Sequence, residues 1–392
     1  MKDPHVLPLA GFKVIEFCQF AAGPFAGMLL ADMGADLIKV EPPDGGDNLR
    51  EWPPHNNGYS EAFASINRNK RSVALDLKNS VDLARARLLV ESADVVLENF
   101  RPGVLDRLGL GYEQMHSSKP SLVYCSISAF GQTGPRAQEG GFDLTIQAMG
   151  GVMSVTGEPD GEPVKCGVPL SDFTVGLYAA FAVAAALHKV RRGEPGEHID
   201  VSMLGTTLAI AALQTSGYFG TGVNPAKLGS AHPRNAPYQA FRCRDGYFAM
   251  AAGNDRLWTS VCEGIQRPDL LGDERFASVT LRAQNQAVLR QLLEADFMQR
   301  PAQELLALFS GRGVPCAPIN SYSEALQDPQ VQHMGWVEEI VLPGGGRSKT
   351  FTSPVRMSAT NISVYRAPPM LGEHNEEVLA EIGQVATPDQ LS

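Results

Sequence analysis

The sequence lacks the features of a membrane, secreted or metal-binding protein. No apolar run reaches the roughly 20 residues that cross a bilayer, and the N-terminus "MKDPHVLPLAG" has an acidic residue and two prolines where a signal peptide is apolar. The six cysteines lie far apart, without a C-x-x-C pair or a histidine at metal-ligand spacing. We therefore expect a cytoplasmic protein with reduced cysteines, no disulfide framework and no bound metal.

Several common catalytic motifs and an excess of positive charge are also missing. There is no G-x-S-x-G elbow, Walker A loop or H-E-x-x-H, so serine hydrolases with that elbow, P-loop NTPases and zincins lack their residues. The chain has 33 Lys and Arg against 43 Asp and Glu, a net charge of −10. This balance opposes nonspecific nucleic-acid binding, and an anionic ligand must therefore be met by a local basic cluster.

The chain does contain a regular alternation of strand-like and helical segments. Its 392 residues are 44% hydrophobic, enough for two domains with separate cores. Five apolar runs in the first half are separated by helical stretches: "KVIEF", "ADLIKVE", "SVALDL", "ADVVLENF" and "SLVYCSISAF". This order predicts parallel βαβ units and a doubly wound α/β sheet. Glycine, proline and scattered basic residues between about 222 and 246 predict a boundary before a smaller α+β domain.

The first βαβ unit, residues 14–43, has the order of parts found in dinucleotide-binding units. Gly23 and Gly27 could serve its turn, and Glu41 could meet a ribose. The G-x-G-x-x-G spacing is absent, however, which favours a plain βα turn over an NAD site.

Basic and acidic residues supply the candidate chemistry. A basic group in "NRNKRSVALDLK" could hold a phosphorylated ligand or be a solvated strand end, and it comprises Arg68, Lys70, Arg71 and Lys78. Arg101 and Arg107 form a second basic group, and both groups could lie on one rim of the sheet. Asp143 and Asp172 each stand at a predicted helix start, where capping is the plain interpretation and a site role is the alternative.

Taken together, these segments resemble the class III CoA-transferases, also called the CaiB/BaiF or formyl-CoA transferase family. The resemblance runs through nearly the whole chain and rests on "AAGPFAGMLLADMGADLIKVEPPDGGD", "NRNKRSVALDLK", "DVVLENFRPGVLDRLGLGY", "SISAFGQTGP", "GGFDLTIQAMGGVMSVTGEPDGEPVKCGVPLSDFTVGLYAA", "AHPRNAPYQAF", "GVPCAPINSYSEALQDPQV" and "RAPPMLGEHNEEVL". It implies a large Rossmann-like CoA-binding domain of residues 1–221, completed by residues 330–392, a small α+β domain of residues 222–329, and a homodimer of interlocked chains.

The resemblance also assigns roles to individual residues. The family's nucleophilic aspartate matches Asp172, which would carry an aspartyl-CoA thioester, and Asp143 falls at a nearby position that lines the site or caps its helix. The positions that match CoA contacts are Ala21, Ala22, Leu75, Lys78, Asn99, Phe100, Arg101, Arg107 and Phe142. The resemblance thus implies CoA thioesters and small carboxylic acids as substrates, with no permanently bound cofactor.

Alternative functions within and outside this family remain. Racemases of α-methylacyl-CoA share the fold but use a histidine at the position of Phe142, so such an enzyme would lack one acid/base group here. A non-catalytic CoA-binding protein is a third interpretation. The formyl/oxalate substrate pair is disfavoured because those members carry a glutamine where Ala21 stands. Succinyl-CoA with a small dicarboxylic acceptor is the favoured pair, with carnitine-type and aromatic acceptors as alternatives.

Overall fold

The computed structural model describes residues 7–385. Its strands are β1 (Lys13–Phe17), β2 (Asp36–Glu41), β3 (His55–Asn56), β4 (Tyr59–Ser60), β5 (Lys70–Ala74), β6 (Val95–Glu98), β7 (Val123–Ser128), β8 (His198–Ser202), β9 (Tyr238–Cys243), β10 (Gly246–Ala251), β11 (Cys316–Pro318), β12 (Val337–Val341) and β13 (Arg347–Phe351). Its helices are α1 (Ala22–Asp32), α2 (Glu61–Ile66), α3 (Ser80–Ser92), α4 (Val104–Arg107), α5 (Tyr112–Ser118), α6 (Asp143–Met149), α7 (Val152–Val155), α8 (Leu170–Arg191), α9 (Met203–Ile210), α10 (Ala212–Thr221), α11 (Asp255–Gly264), α12 (Val279–Gln284), α13 (Gln286–Phe297), α14 (Ala302–Ser310), α15 (Tyr322–Gln327), α16 (Pro329–Met334) and α17 (Asn375–Val385).

Six strands form one parallel sheet in the order β5-β2-β1-β6-β7-β8. Numbered along the chain, these strands follow the order 3-2-1-4-5-6 of a Rossmann-like, doubly wound sheet. The predicted α/β class is thereby confirmed. Because the order reverses between β1 and β6, a crevice opens there at the carboxyl ends of the strands, where open α/β sheets bind their ligands.

Small residues let α1 and α8 pack closely on one face of this sheet. A Cβ atom on Gly176 of α8 would lie 2.8 Å from the backbone oxygen of Ala22, at the start of α1. Ala26 and Ala179 are fully buried in the same core, which also receives the inner residues of β1, β6 and β7. The turn that precedes α1 is therefore fixed between the sheet and α8.

Helix α8 is, by length and composition, apolar enough to cross a membrane, although no single uninterrupted apolar run in the sequence predicted this. It packs on α1, α6, α9, β7 and β8, and its first turn contains Asp172. Since a core helix of a soluble protein passes the same test, this property is weak evidence for a span.

The chain divides into two compact units. The first contains the described parts of Met1–Val152, Lys165–Gly222 and Gln330–Ser392. Within it, α17 packs on α3 and β5, and the backbone N–H of His374 donates to the carbonyl of Ser72 at 3.0 Å. The C-terminal segment therefore returns to the unit that holds the parallel sheet.

The second unit contains Met153–Val164 and Val223–Pro329. An antiparallel sheet, in the order β11-β10-β9, packs on helices through a phenylalanine-rich core of Phe241, Phe248, Phe297 and Phe309. Met153–Val164 falls inside the predicted large domain but packs with this unit. The Lys227 ammonium donates to the carbonyls of Gly161 and Glu162, a contact between segments about 65 residues apart that the local sequence does not reveal.

Candidate active site

A pocket of about 300 Å³ opens at the reversal point of the parallel sheet. It is built by the turns after β1 and β6, the end of β7, the glycine-rich segment before α6, and the first residues of α8 and α9. The sequence-predicted residues that line it are Ala21, Ala22, Asn99, Phe100, Arg101, Phe142 and Asp172. Seven of the eleven residues to which the family resemblance assigns a role thus converge on one cavity, although they span about 150 residues of sequence.

Side chains from neighbouring elements fix the turn after β1. The amide of Asn99 accepts from the backbone N–H of Gln19 at 2.9 Å and donates to its carbonyl at 2.8 Å. Phe20, the next residue, has a φ of 62°, a left-handed conformation that is costly for a side chain of its size. Asn99 therefore joins two turns of the pocket, with both polar atoms of its amide already bonded to protein.

Asp172 lies on the pocket wall, and no positive charge in residues 7–385 balances its carboxylate. It is the third residue of α8, whose N-cap is Pro169, so it does not cap the helix. Within residues 7–385, its carboxylate has no hydrogen-bond or ion-pair partner. Burial raises the pKa of Asp172 to about 7, and the negative charge of Asp143 contributes to this rise. A partly desolvated carboxylate that is free of partners is poised to react.

Asp143 has a different role, because both of its oxygens are engaged. One accepts the backbone N–H of Ser171 at 2.9 Å, and the other accepts the side-chain amide of Gln147 at 2.8 Å. The oxygen of that fully buried Gln147 amide accepts the N–H of Cys166 at 2.9 Å. Asp143 begins α6 but caps the first turn of α8, which fixes the segment that presents Asp172.

The basic residues fall into two groups that the sequence could not separate. Arg68, Lys70 and Arg71 are buried and paired with carboxylates, the first with Asp32 at 2.6 Å. Both earlier interpretations of these three residues, a phosphate site and a solvated strand end, are therefore wrong. Lys78, Arg101 and Arg107 are not buried, and none forms an ion pair in the described part of the chain.

Other residues singled out in the sequence do not line the pocket. Leu75 is buried in the core on the other face of the sheet. Lys78 lies in the loop between β5 and α3, and Arg107 is the last residue of α4, which follows β6. Glu41 is buried and accepts two hydrogen bonds from Arg50, at 2.7 and 2.8 Å, so it does not act as a ribose ligand. Gly23 is required by packing, because its Cβ would lie 2.4 Å from the sulfur of Cys18.

Sequence reasoning missed several pocket residues. Ser128 ends β7, Met203 begins α9 directly after β8, and Gly140 and Gly141 approach from the loop before α6. The motif "GGFDL" was visible in the sequence, but which atoms would face a cavity depended on the strand order. The pocket lining contains no histidine among the described residues, and Phe142, which is 66% exposed, packs on Phe20 with ring centroids 5.8 Å apart.

The strand order and the pocket define a Rossmann-like α/β protein with a partly buried carboxylate at the reversal point of its sheet. A family model described as CoA-transferase family III matches residues 9–375, so the chain belongs to that family. This finding confirms the resemblance noted in the sequence.

Individual relatives agree with this assignment. The chain is 41% identical to the succinate–glutarate CoA-transferase of Agrobacterium fabrum, over 97% of this chain and 98% of that protein. It is 38% identical to the succinyl-CoA:glutarate CoA-transferase of Mus musculus, over 96% of this chain and 86% of that protein. A crystal structure of a CaiB/BaiF family protein from Brucella suis superposes with a TM-score of 0.85 at 40% identity, covering 96% of this chain and 99% of that one.

Proposed function

We propose that this protein transfers CoA between succinyl-CoA and a dicarboxylic acid such as glutarate, through an aspartyl-CoA thioester on Asp172. The observation that carries the proposal is the Asp172 carboxylate, which lines the pocket at the sheet's reversal point without a partner in residues 7–385. The names of the relatives from Agrobacterium fabrum and Mus musculus support the substrate pair.

The proposed reaction exchanges one thioester for another and needs no further reactant. A carboxylate oxygen of Asp172 attacks the thioester carbonyl of succinyl-CoA, which releases CoA thiolate and leaves a mixed anhydride. The thiolate attacks the aspartyl carbonyl, giving the aspartyl-CoA thioester and free succinate. Glutarate then attacks this thioester, and the released thiolate attacks the glutaryl carbonyl of the second anhydride. Glutaryl-CoA leaves, and the Asp172 carboxylate is regenerated.

The pocket surroundings support this chemistry. Gly140 and Gly141 bring backbone close to the cavity, where amide groups can stabilise the oxyanion of each tetrahedral intermediate. A side chain at residue 141 would place its Cβ 2.8 Å from the Cβ of Ala129, so the backbone approaches because this residue is glycine. Phe20 and Phe142 provide apolar surface that limits access of water to both anhydrides, which hydrolyse readily.

The nucleotide end of CoA is proposed to lie along the carboxyl rim of the sheet. Lys78 follows β5 and Arg101 follows β6, three strand spacings away, which is about 14 Å. With Arg107, these cations supply positive charge without carboxylate partners in residues 7–385. Charge-assisted bonds to phosphate are among the stronger polar contacts, so the three residues suit the pyrophosphate and the 3′-phosphate of CoA.

We expect the protein to form glutaryl-CoA and succinate from succinyl-CoA and glutarate, with no loss of total thioester. Mass spectrometry of the CoA thioesters measures this directly, and a panel of dicarboxylic, aromatic and carnitine-type acids tests the acceptor range. A reaction without enzyme and one without acceptor are the controls. If no acid yields a new thioester, the proposal is wrong; solvent deuterium at the α-carbon of a branched acyl-CoA would instead indicate a racemase.

We expect kcat/KM for succinyl-CoA to rise with pH and to level off above about pH 7. Burial, reinforced by the charge of Asp143, raises the pKa of Asp172 to about 7, and only the deprotonated carboxylate attacks. Below this pH the nucleophile is protonated in the free enzyme, and each unit of decrease should lower kcat/KM about tenfold. Initial rates between about pH 5 and 8.5 provide the measurement. A value of kcat/KM that does not fall below about pH 7 would contradict the expectation.

A homodimer of interlocked chains is part of the same proposal. Large apolar side chains on α8 and α10 are exposed in the single chain, among them Phe181 at 73% and Phe219 at 81%. Soluble monomers rarely leave extensive apolar patches uncovered, so a second copy is the expected cover. Sedimentation equilibrium should give twice the chain mass of 42.1 kDa, and a mass of one chain at micromolar concentration would refute the dimer.

We further propose that the protein works in the cytoplasm and not in a membrane. The apolar helix α8 presents Asp172 to the pocket and packs on five elements of its unit, which supports a core role. After cell lysis without detergent, the protein should remain in the supernatant of a high-speed spin. Recovery in the membrane pellet would contradict this location.

A further inference from the structure

Four charged side chains lie fully buried beneath the turn after β1. This buried ionic cluster comprises Glu16 of β1, Lys39 of β2, Asp47 of the following loop and Lys70 of β5. The exposed fraction of each of the four side chains is 0%. Lys39 lies 2.8 Å from Glu16 and 2.9 Å from Asp47, and Lys70 lies 2.9 Å from the other oxygen of Glu16. Two positive and two negative charges thus balance within the core.

Stability alone gives a poor reason for such a cluster. Desolvation of buried ions offsets much of their attraction, and well-packed apolar residues of similar volume are often equally stable or more so. The remaining contacts of the two ammonium groups point to another role. Lys39 donates to the carbonyl of Cys18 at 2.7 Å, and Lys70 donates to the carbonyl of Pro24 at 2.7 Å. Both carbonyls belong to the segment that carries the pocket-lining turn.

Asp47 also contacts this turn. Its Oδ1 atom accepts the backbone N–H of Phe20 at 3.0 Å and that of Leu49 at 3.0 Å, while its Oδ2 atom faces Lys39. Phe20 is the residue with a φ of 62°, a conformation that persists only where surrounding contacts determine it. Three backbone groups between residues 18 and 24 are therefore held by the cluster.

We infer that the buried ionic cluster is a positioning device that sets the shape of the turn carrying Ala21 and Ala22 against the bound CoA thioester. This inference rests on the proposed CoA-transferase function, because it assigns the turn to CoA. Ala21 and Ala22 follow Phe20 directly and line the pocket. Their side chains carry no polar group, so the correct path of the backbone, and not a side-chain contact, determines how closely CoA approaches.

The test compares substitutions of Asp47 with one at Asp32. D47A removes the acceptor of the Phe20 N–H together with the charge, whereas D47N keeps an oxygen that can accept this N–H. D32N is the matched control, because Asp32 forms a buried ion pair with Arg68 at 2.6 Å at the opposite end of α1. The readouts are the Kd of CoA by calorimetry, and amide hydrogen exchange in peptides covering residues 18–24.

We expect D47A to weaken CoA binding about tenfold or more and to speed exchange in the turn. D47N should change the Kd less than D47A, and D32N should leave it within about twofold of the unsubstituted protein. Equal Kd values for D47A and the unsubstituted protein, or an equal loss in D32N, would overturn the inference.

A second variant covers the case in which D47A does not fold. The double substitution E16Q/K70M removes one negative and one positive charge, keeps the Lys39–Asp47 pair and deletes the bond to the Pro24 carbonyl. It should also weaken CoA binding and speed exchange in the turn. If the unsubstituted protein binds no CoA, the proposed function fails and the assignment of the turn to CoA fails with it, whereas the exchange readout separately decides whether the cluster holds the turn. Unchanged exchange in whichever variant folds refutes it.

Discussion

Replacing Asp172 with Asn is expected to abolish CoA transfer, with a loss of at least about 10³-fold in kcat. The amide has no ionisable oxygen with which to open the thioester, and no other carboxylate in the described pocket lies free of partners, since Glu139 pairs with Arg136 at 2.8 Å. The Kd of CoA should stay within a few-fold, because Asp172 is not among the residues proposed to hold the nucleotide. Retained turnover would defeat the assignment.

The matched control for this variant is Asp44→Asn. Asp44 is exposed and has no interaction with the rest of the described chain, so the same chemical change there should leave kcat unaltered. Trapping provides a second measurement. Incubation with succinyl-CoA followed by mass spectrometry of proteolytic peptides should detect an adduct on the Asp172 peptide of the unsubstituted enzyme and none in the variant.

The same substitution should also stabilise the fold above pH 7. Burial raises the folded-state pKa of Asp172 to about 7 from its ordinary value of 3.8, so the ionised form is disfavoured in the folded protein. The contribution of Asp172 to stability is therefore largest below the unfolded-state pKa and is lost as the pH rises to about 7. The neutral amide of the D172N variant avoids this loss. The Tm of D172N should thus exceed that of the unsubstituted protein near pH 8 and fall to it or below near pH 4.

Replacing Gly27 with Ala is expected to cost about 3–5 kcal/mol of unfolding free energy, the range measured when a buried ion pair is broken. A Cβ at this position would lie 2.0 Å from an oxygen of Glu16 and 3.0 Å from Leu37. The Glu16 carboxylate cannot move aside, because Lys39 and Lys70 hold its two oxygens. The gain of about 1 kcal/mol in helix propensity from Gly to Ala is too small to offset this clash.

The control for Gly27 is Gly383→Ala in α17. A Cβ at Gly383 would meet nothing within 4 Å, so this change should be neutral or stabilise the protein by up to about 1 kcal/mol. Urea unfolding of the two variants beside the unsubstituted protein measures both effects. A Gly27→Ala protein as stable as the Gly383→Ala protein would show that the buried ionic cluster tolerates displacement.

The sequence was most informative about features that depend on the order of neighbouring residues, such as strands and helices. Alternating apolar and helical segments predicted the βαβ units, because each strand and helix must bury its own apolar face. The resemblance to the class III CoA-transferases, and not the local pattern, selected Asp172 over Asp143, and of these two carboxylates the structure leaves Asp172 free of partners in residues 7–385.

Residues whose meaning depends on distant neighbours were interpreted less well. Gly23 and Gly27 were candidates only for the turn of a dinucleotide site or a plain βα turn, whereas in the structure they serve close packing against Cys18 and Glu16. The apolar, alanine-rich segment "SDFTVGLYAAFAVAAALHKVRRG" is an exception, because its small side chains and apolar faces predict a helix buried against the sheet, and α8 does pack on β7 and β8.

The sequence by itself determined the order of elements and the α/β class, because strand and helix periodicity are properties of the local chain. Asp172 followed from the resemblance to the class III CoA-transferases. Only the tertiary structure decided which cations are free for a ligand. Arg71 pairs with Glu377 across 306 positions, whereas Arg101 pairs with no carboxylate in residues 7–385. The physical reason is that burial and charge pairing depend on distances between atoms that the fold brings together, and sequence separation does not contain those distances.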